Sequence, residues 1–184
     1  MRVIGLDIGT TSISAVVAED GKVIYSVTEQ SCAAIKSEFA ENRLQSAKAI
    51  TEKVFSIKER LVKEFAPIDA IGVTGQMHGI LYIDKDGNAV SPLYTWQDKS
   101  GELKYNDTTF SEYLANITGY DAPSGYGLVT DFANRKLGRV PENAAGLCNI
   151  QDYITMKLTG GKTPVTHIGN AAGLGFYSFD TFDF

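Results

Sequence analysis

The sequence predicts an α/β fold: a mixed sheet led by three antiparallel strands and flanked by helices. Three observations carry this reading. From Val3 to Thr28, short apolar runs are separated by turn residues, with Asp20-Gly21 as a strong hairpin signal. Leu44, Ala47, Ile50, Val54, Ile57, Leu61 and Phe65 then recur at intervals of three and four, one apolar stripe of a long helix. A second apolar run, Ala70 to Thr74, follows that helix, which is the order of an α/β crossover.

Each element follows from local chemistry. The first strand runs from about Arg2 to Ile8, the second from Ile13 to Ala18 and the third from Val23 to Thr28. Ser31 to Ala40 reads as a loop or short helix. Asn42 followed by Gln45 resembles the N-terminal cap of the long helix, and Pro67 stops it. Gly75 to Gly79 breaks the apolar character and Ile80 to Ile83 resumes it as a strand. Asp86-Gly87 turns the chain, and Pro92 to Asp98 is a loop. Thr109 to Ile117 is a short helix with Ser111 or Thr108 as cap, Gly119 to Gly127 a surface loop, and Asp131 to Leu137 helical. Pro141 begins a further turn, and Ile150 to Leu158 is an amphipathic helix ended by Gly160-Gly161. No repeat or low-complexity linker divides the chain.

Composition narrows the function classes. A length of 184 residues suits one domain with its own core. The net charge of −5 comes with no basic patch, so nucleic acid is not an expected partner. Cys32 and Cys148 form no CxxC pair, which argues against a disulfide framework or zinc site and fits a reducing compartment. Met1-Arg2-Val3-Ile4 begins a strand instead of a signal peptide, and no apolar run is long enough to span a bilayer, so a cytoplasmic location is expected. The aromatic run from Phe176 to Phe184 either docks on the body or marks a chain that stops partway through a fold; the second is the expectation.

Three stretches could carry chemistry. In Asp7-Ile8-Gly9-Thr10-Thr11-Ser12, a strand ends in a carboxylate at a glycine and hydroxyl turn. Gly9 removes a side chain, so backbone N–H groups can approach a phosphate, while Thr10, Thr11 and Ser12 add hydroxyl donors. Asp7 beside such a cradle can hold Mg²⁺ directly or through its water. The same six residues also fit an ordinary glycine–threonine hairpin. Gly75-Gln76-Met77-His78-Gly79 follows a strand, the usual place for a ligand in an open α/β sheet. Its polar heads and adaptable methionine suit a small polyhydroxylated ligand, although a plain connection with a satisfied histidine is the alternative. In Thr95-Trp96-Gln97-Asp98, an indole plane can cover the C–H face of a sugar and a carboxylate can accept from its hydroxyls. A lone tryptophan is otherwise a core residue.

Two further stretches are set aside. Thr159-Gly160-Gly161-Lys162-Thr163 resembles the end of a phosphate-binding Walker loop, but it follows a helix and its first glycine would fall at Met156. It reads as a helix C-cap. His167 has no nucleophilic or metal-binding companion in its neighbourhood.

Taken in order, the three stretches resemble the N-terminal domain of the FGGY carbohydrate kinases, with Gly75 to Gly79 similar to xylulokinases and sedoheptulokinases. Thr95 to Asp98, with Ile150-Gln151-Asp152-Tyr153 and Asn170 to Phe176, leans towards sedoheptulokinase. The resemblance covers residues 1–184 and implies a ribonuclease-H-like domain of the actin-like ATPase superfamily that meets a second domain, absent here, across a cleft. It implies ATP and Mg²⁺ as cofactors and a ketose as substrate. Asp7 would serve the metal, Gly9, Thr10, Thr11 and Ser12 the phosphates, and Gln76, Met77, His78, Gly79, Trp96 and Asp98 the sugar. The family's catalytic base is an aspartate in a Gly-Asp motif; this sequence contains no such pair. The base is therefore expected beyond residue 184, with little kinase activity from the chain alone. A non-catalytic sugar-binding or regulatory module is the competing reading, and a homodimer is a possible assembly.

Overall fold

The computed structural model describes residues 1–184. Strands β1 (Arg2–Ile8), β2 (Ser12–Glu19), β3 (Lys22–Gln30), β4 (Ala34–Ile35) and β5 (Leu44–Gln45) lead to helix α1 (Ala47–Phe65). Strands β6 (Ala70–Gly75), β7 (Leu81–Ile83) and β8 (Leu93–Tyr94) follow, then a 3₁₀ turn at Ser100–Glu102 and two short strands, β9 (Lys104–Tyr105) and β10 (Thr108–Thr109). Helices α2 (Phe110–Thr118) and α3 (Gly127–Lys136), strand β11 (Gly146–Cys148) and helices α4 (Ile150–Thr159) and α5 (Ile168–Leu174) complete the chain.

The central sheet has the order β3-β2-β1-β6. β1 and β2 pair antiparallel, as do β2 and β3, and β6 joins β1 in parallel with Ile8 opposite Gly75. The mixed sheet led by three antiparallel strands is therefore as expected. Alternation along the strands sends Ile4, Leu6, Ile8, Ile13, Ala15 and Val17 to one face, where Ile50, Val54, Ile57 and Leu61 of α1 bury against them. Each of the valine, leucine and isoleucine side chains contributes about 1.5–3 kcal/mol by leaving water. The opposite face carries Gly5, Asp7, Ser14, Val16, Gly72 and Thr74, which line an open groove of about 380 Å³.

Several boundaries differ from the sequence reading, each for a physical reason. α1 starts at Ala47 and is capped by Ser46, whose hydroxyl accepts from the Ala49 N–H at 3.1 Å. Asn42 cannot cap it, because its amide is spent on Asp98 and Ser100, and Leu44 and Gln45 belong to a strand. Thr109 caps α2 with a reciprocal Glu112 box, in place of Ser111 or Thr108. α3 begins at Gly127, four positions before the expected Asp131. The Gly119 to Gly127 segment is only partly a surface loop: Ala122, Gly125 and Gly127 are buried. Gly160 closes α4 in the left-handed region at φ 71°, as a C-cap, and His167 caps α5 by accepting from the Gly169 N–H. At the C-terminal end, Tyr177, Phe182 and Phe184 border an apolar groove with Leu128, Leu147 and Leu174, while Phe179, Phe182 and Phe184 remain largely exposed. No helix is long and apolar enough to cross a membrane.

One ion cluster ties the sheet edge to α1. Glu29 of β3 accepts from Arg60 at 2.6 Å and from Lys53 at 3.1 Å. The Arg60 hydrogen bond, then that of Lys53, holds the Glu29 carboxyl below its ordinary value of 4.5. A depressed folded-state pKa contributes stability above the unfolded value and loses it as pH falls through the folded one. Glu29→Gln is accordingly expected to lower stability by about 0.5 kcal/mol at pH 7 and to flatten the stability loss below 4.5, read by urea titrations across pH 3–7.

Candidate functional site

The β1–β2 turn lies at the carboxyl end of β1, beside the carboxyl end of the parallel strand β6. This is where open α/β sheets present ligand crevices. Gly9 is required by close approach: a Cβ there would lie 2.9 Å from the Ser12 carbonyl oxygen. Asp7 points to the open face of the sheet, exposed and without a hydrogen-bond partner, between Ser14 on β2 and Thr74 on β6. Thr11 is exposed and Ser12 half-buried.

The three sequence stretches converge through one hydrogen-bond network. The Trp96 indole N–H donates to the Thr10 hydroxyl at 3.0 Å, and Thr10 donates to Gln76 Oε1 at 3.2 Å. Gln76 Nε2 donates to Gln45 Oε1 at 2.8 Å, and Gln45 Nε2 donates to the Thr10 carbonyl at 2.6 Å. Gln45 closes the ring and is 3% exposed. Its place in sequence, one residue before the Ser46 cap, gave no signal of this role. Trp96 is 47% exposed, so one ring face is free while its N–H is anchored. It is a surface platform, not a core residue.

His78 and Met77 flank the network. His78 has φ 69°, an uncommon conformation for a residue other than glycine. Its Nδ1 lies 2.6 Å from the Gly173 carbonyl, which can only accept, so Nδ1 carries the proton and Nε2 is the free ring nitrogen. Tyr126 stacks on the ring with centroids 4.1 Å apart. Tyr126 also escaped the sequence reading, hidden in a glycine-rich loop. Met77 is 55% exposed beside it.

Gln76 and Asp98 are placed differently from Met77, His78 and Trp96. Gln76 is buried and both its amide atoms are engaged. Asp98 is 1% exposed; one oxygen accepts from Asn42 at 2.9 Å and the other from the Ser100 N–H at 2.9 Å. Neither has a free edge for a ligand, and both hold the loops that do. Gly79 is likewise buried, packed against the Tyr94 carbonyl.

This architecture is that of sugar kinases. Superposition on a ligand-bound xylulose kinase from Lactobacillus acidophilus gives a TM-score of 0.83 at 22% identity, over 100% of this chain and 38% of that one. A gluconate kinase from the same organism gives 0.82 at 24% identity, over 98% and 37%. Residues 2–184 match the N-terminal domain of the FGGY family of carbohydrate kinases, and the chain belongs to that family. It is 29% identical to sedoheptulokinase of Mus musculus over 95% of its own length, and 27% identical to xylulose kinase of Bacillus subtilis over 86%. It spans 41% and 33% of those two relatives.

Proposed function

We propose that this domain forms the sugar-side wall of an ATP-dependent ketose kinase and takes a sedoheptulose-like or xylulose-like substrate. The observation that carries the reading is the Trp96–Thr10–Gln76 chain of hydrogen bonds, which joins an exposed aromatic platform to a glycine–hydroxyl turn. Such an arrangement suits a sugar held beside a phosphate. In this reading Trp96 covers the apolar face of the sugar, and Met77 and His78 Nε2 meet its flank. Gln76, Gly79 and Asp98 act by positioning those residues.

The residues present fit ATP and Mg²⁺. The Gly9 turn is a cradle that a Cβ would fill, and Asp7 offers a carboxylate with no internal partner. Gly9, Thr11 and Ser12 would hold phosphate oxygens, Thr10 would add only its backbone N–H because its hydroxyl already donates to Gln76, and Asp7 would hold the metal or its water. Bound Mg²⁺ would neutralise charge on the transferring phosphoryl group. The sugar hydroxyl must pass its proton to a general base, which we assign to no residue of this chain.

Trp96 is the natural reporter, being the single tryptophan. Titrating the chain with sedoheptulose, xylulose, ribulose, fructose and glycerol is expected to give a saturable fluorescence change with one ketose, absent in Trp96→Phe. A flat response to the whole panel would remove the support for a sugar site formed by this chain.

A further inference from the structure

We propose that Gln151 reads a single hydroxyl of the sugar, through a side-chain carbonyl held ready beside Met77 and His78. The inference rests on the sugar-site reading above and adds to it a residue outside the three stretches that define that site.

Gln151 is the second residue of α4 and only 6% exposed. Its Nε2 donates to the Gly75 carbonyl at 3.2 Å. A backbone carbonyl can only accept, so the amide cannot be turned the other way round. Oε1 is therefore the free atom, and it has no hydrogen-bond partner although it is buried. Native proteins rarely leave such an acceptor empty, and the exceptions call for an explanation in function.

The surroundings define what fills it. Gln151 borders a crevice with Met77, His78, Asn170 and Gly173. The volume, about 10 Å³, admits one group the size of a hydroxyl or a water. The nearby amides are committed elsewhere: Asn149 and Asn170 both donate to Asp152 at 2.8 Å. A phosphate presents acceptors to a carbonyl and is repelled, so the nucleotide side of the site is the wrong partner. A ligand hydroxyl is a donor of the right size. The location agrees: Gly75 pairs with Ile8, the residue before Gly9, so Gln151 sits at the carboxyl ends of β1 and β6.

The test is a ligand-by-protein cycle. The ketose that gives a saturable Trp96 response is compared with its single-deoxy analogues, on wild type and Gln151→Met. One deoxy analogue is expected to bind wild type about tenfold more weakly than the parent sugar, the loss of one hydrogen bond. Gln151→Met is expected to bind the parent about tenfold more weakly and to discriminate no further against that analogue. In wild type labelled with [¹³C]glutamine, the Gln151 side-chain carbonyl is expected to shift with the parent sugar and stay unmoved with the analogue, which needs no variant. A saturable response with no analogue-specific loss at Gln151, or with an unmoved carbonyl, overturns this proposal alone. No saturable response to any ketose overturns the sugar-site reading, and this proposal with it.

Discussion

Gly125→Ala is expected to destabilise the protein by about 3 kcal/mol, the range of a backbone clash added to a left-handed residue. A Cβ at this position would lie 2.0 Å from the Trp96 carbonyl oxygen and 2.8 Å from its carbon, and Gly125 itself has φ 91°. The atoms in the way are backbone, so no side-chain rotation relieves the contact. One of two segments must move, and the Trp96 loop is the one with an exposed side chain. The Trp96–Thr10 hydrogen bond is then expected to break, with a shift of the native emission spectrum. Urea unfolding followed by both circular dichroism and Trp96 emission checks the two effects together. A variant as stable as wild type would mean that the loop yields freely and that the aromatic platform is not held as described.

Asp98→Ala is expected to cost about 3 kcal/mol as well, for a different reason. Asp98 accepts from Asn42 and from the Ser100 N–H, and Asn42 also donates to the Ser100 hydroxyl at 3.0 Å. Removing the carboxylate leaves two buried donors with less than their complement, and each unsatisfied group costs about 1–3 kcal/mol. The measurement separates support from recognition. Loss of stability marks Asp98 as a residue that fixes the Trp96 loop. Unchanged stability with lost sugar response would return it to the ligand-contacting set.

The strands of the central sheet and the body of α1 were legible in sequence because each carries its own period: two for β1 and β2, and three to four for Ile50 through Leu61. The three candidate stretches stood out because each sets a glycine or an aromatic among polar heads, and the structure brings them together through Trp96, Thr10 and Gln76. What escaped depends on partners far away in the chain. Asn42 looks like a cap until Asp98 claims it, and Gln45 looks like the first turn of a helix until Thr10 and Gln76 do. Gln76 and Asp98 were read as ligand contacts because a polar head after Gly75, or a carboxylate two residues from Trp96, looks free in sequence. Their burial is a tertiary fact. The short strands β9, β10 and β11 and helix α5 have too few residues to show a period.

The hydrogen bonds Trp96–Thr10, Thr10–Gln76 and Gln151–Gly75 join residues 86, 66 and 76 positions apart. None of these bonds can form in a nascent hairpin or an isolated helix. The surface around Trp96 thus forms only after the segments that build it have closed long loops. Its formation reports on the completeness of the native state. Any molecule that engages it binds the finished chain and no partly folded one, and will raise the melting temperature in proportion to the logarithm of its concentration.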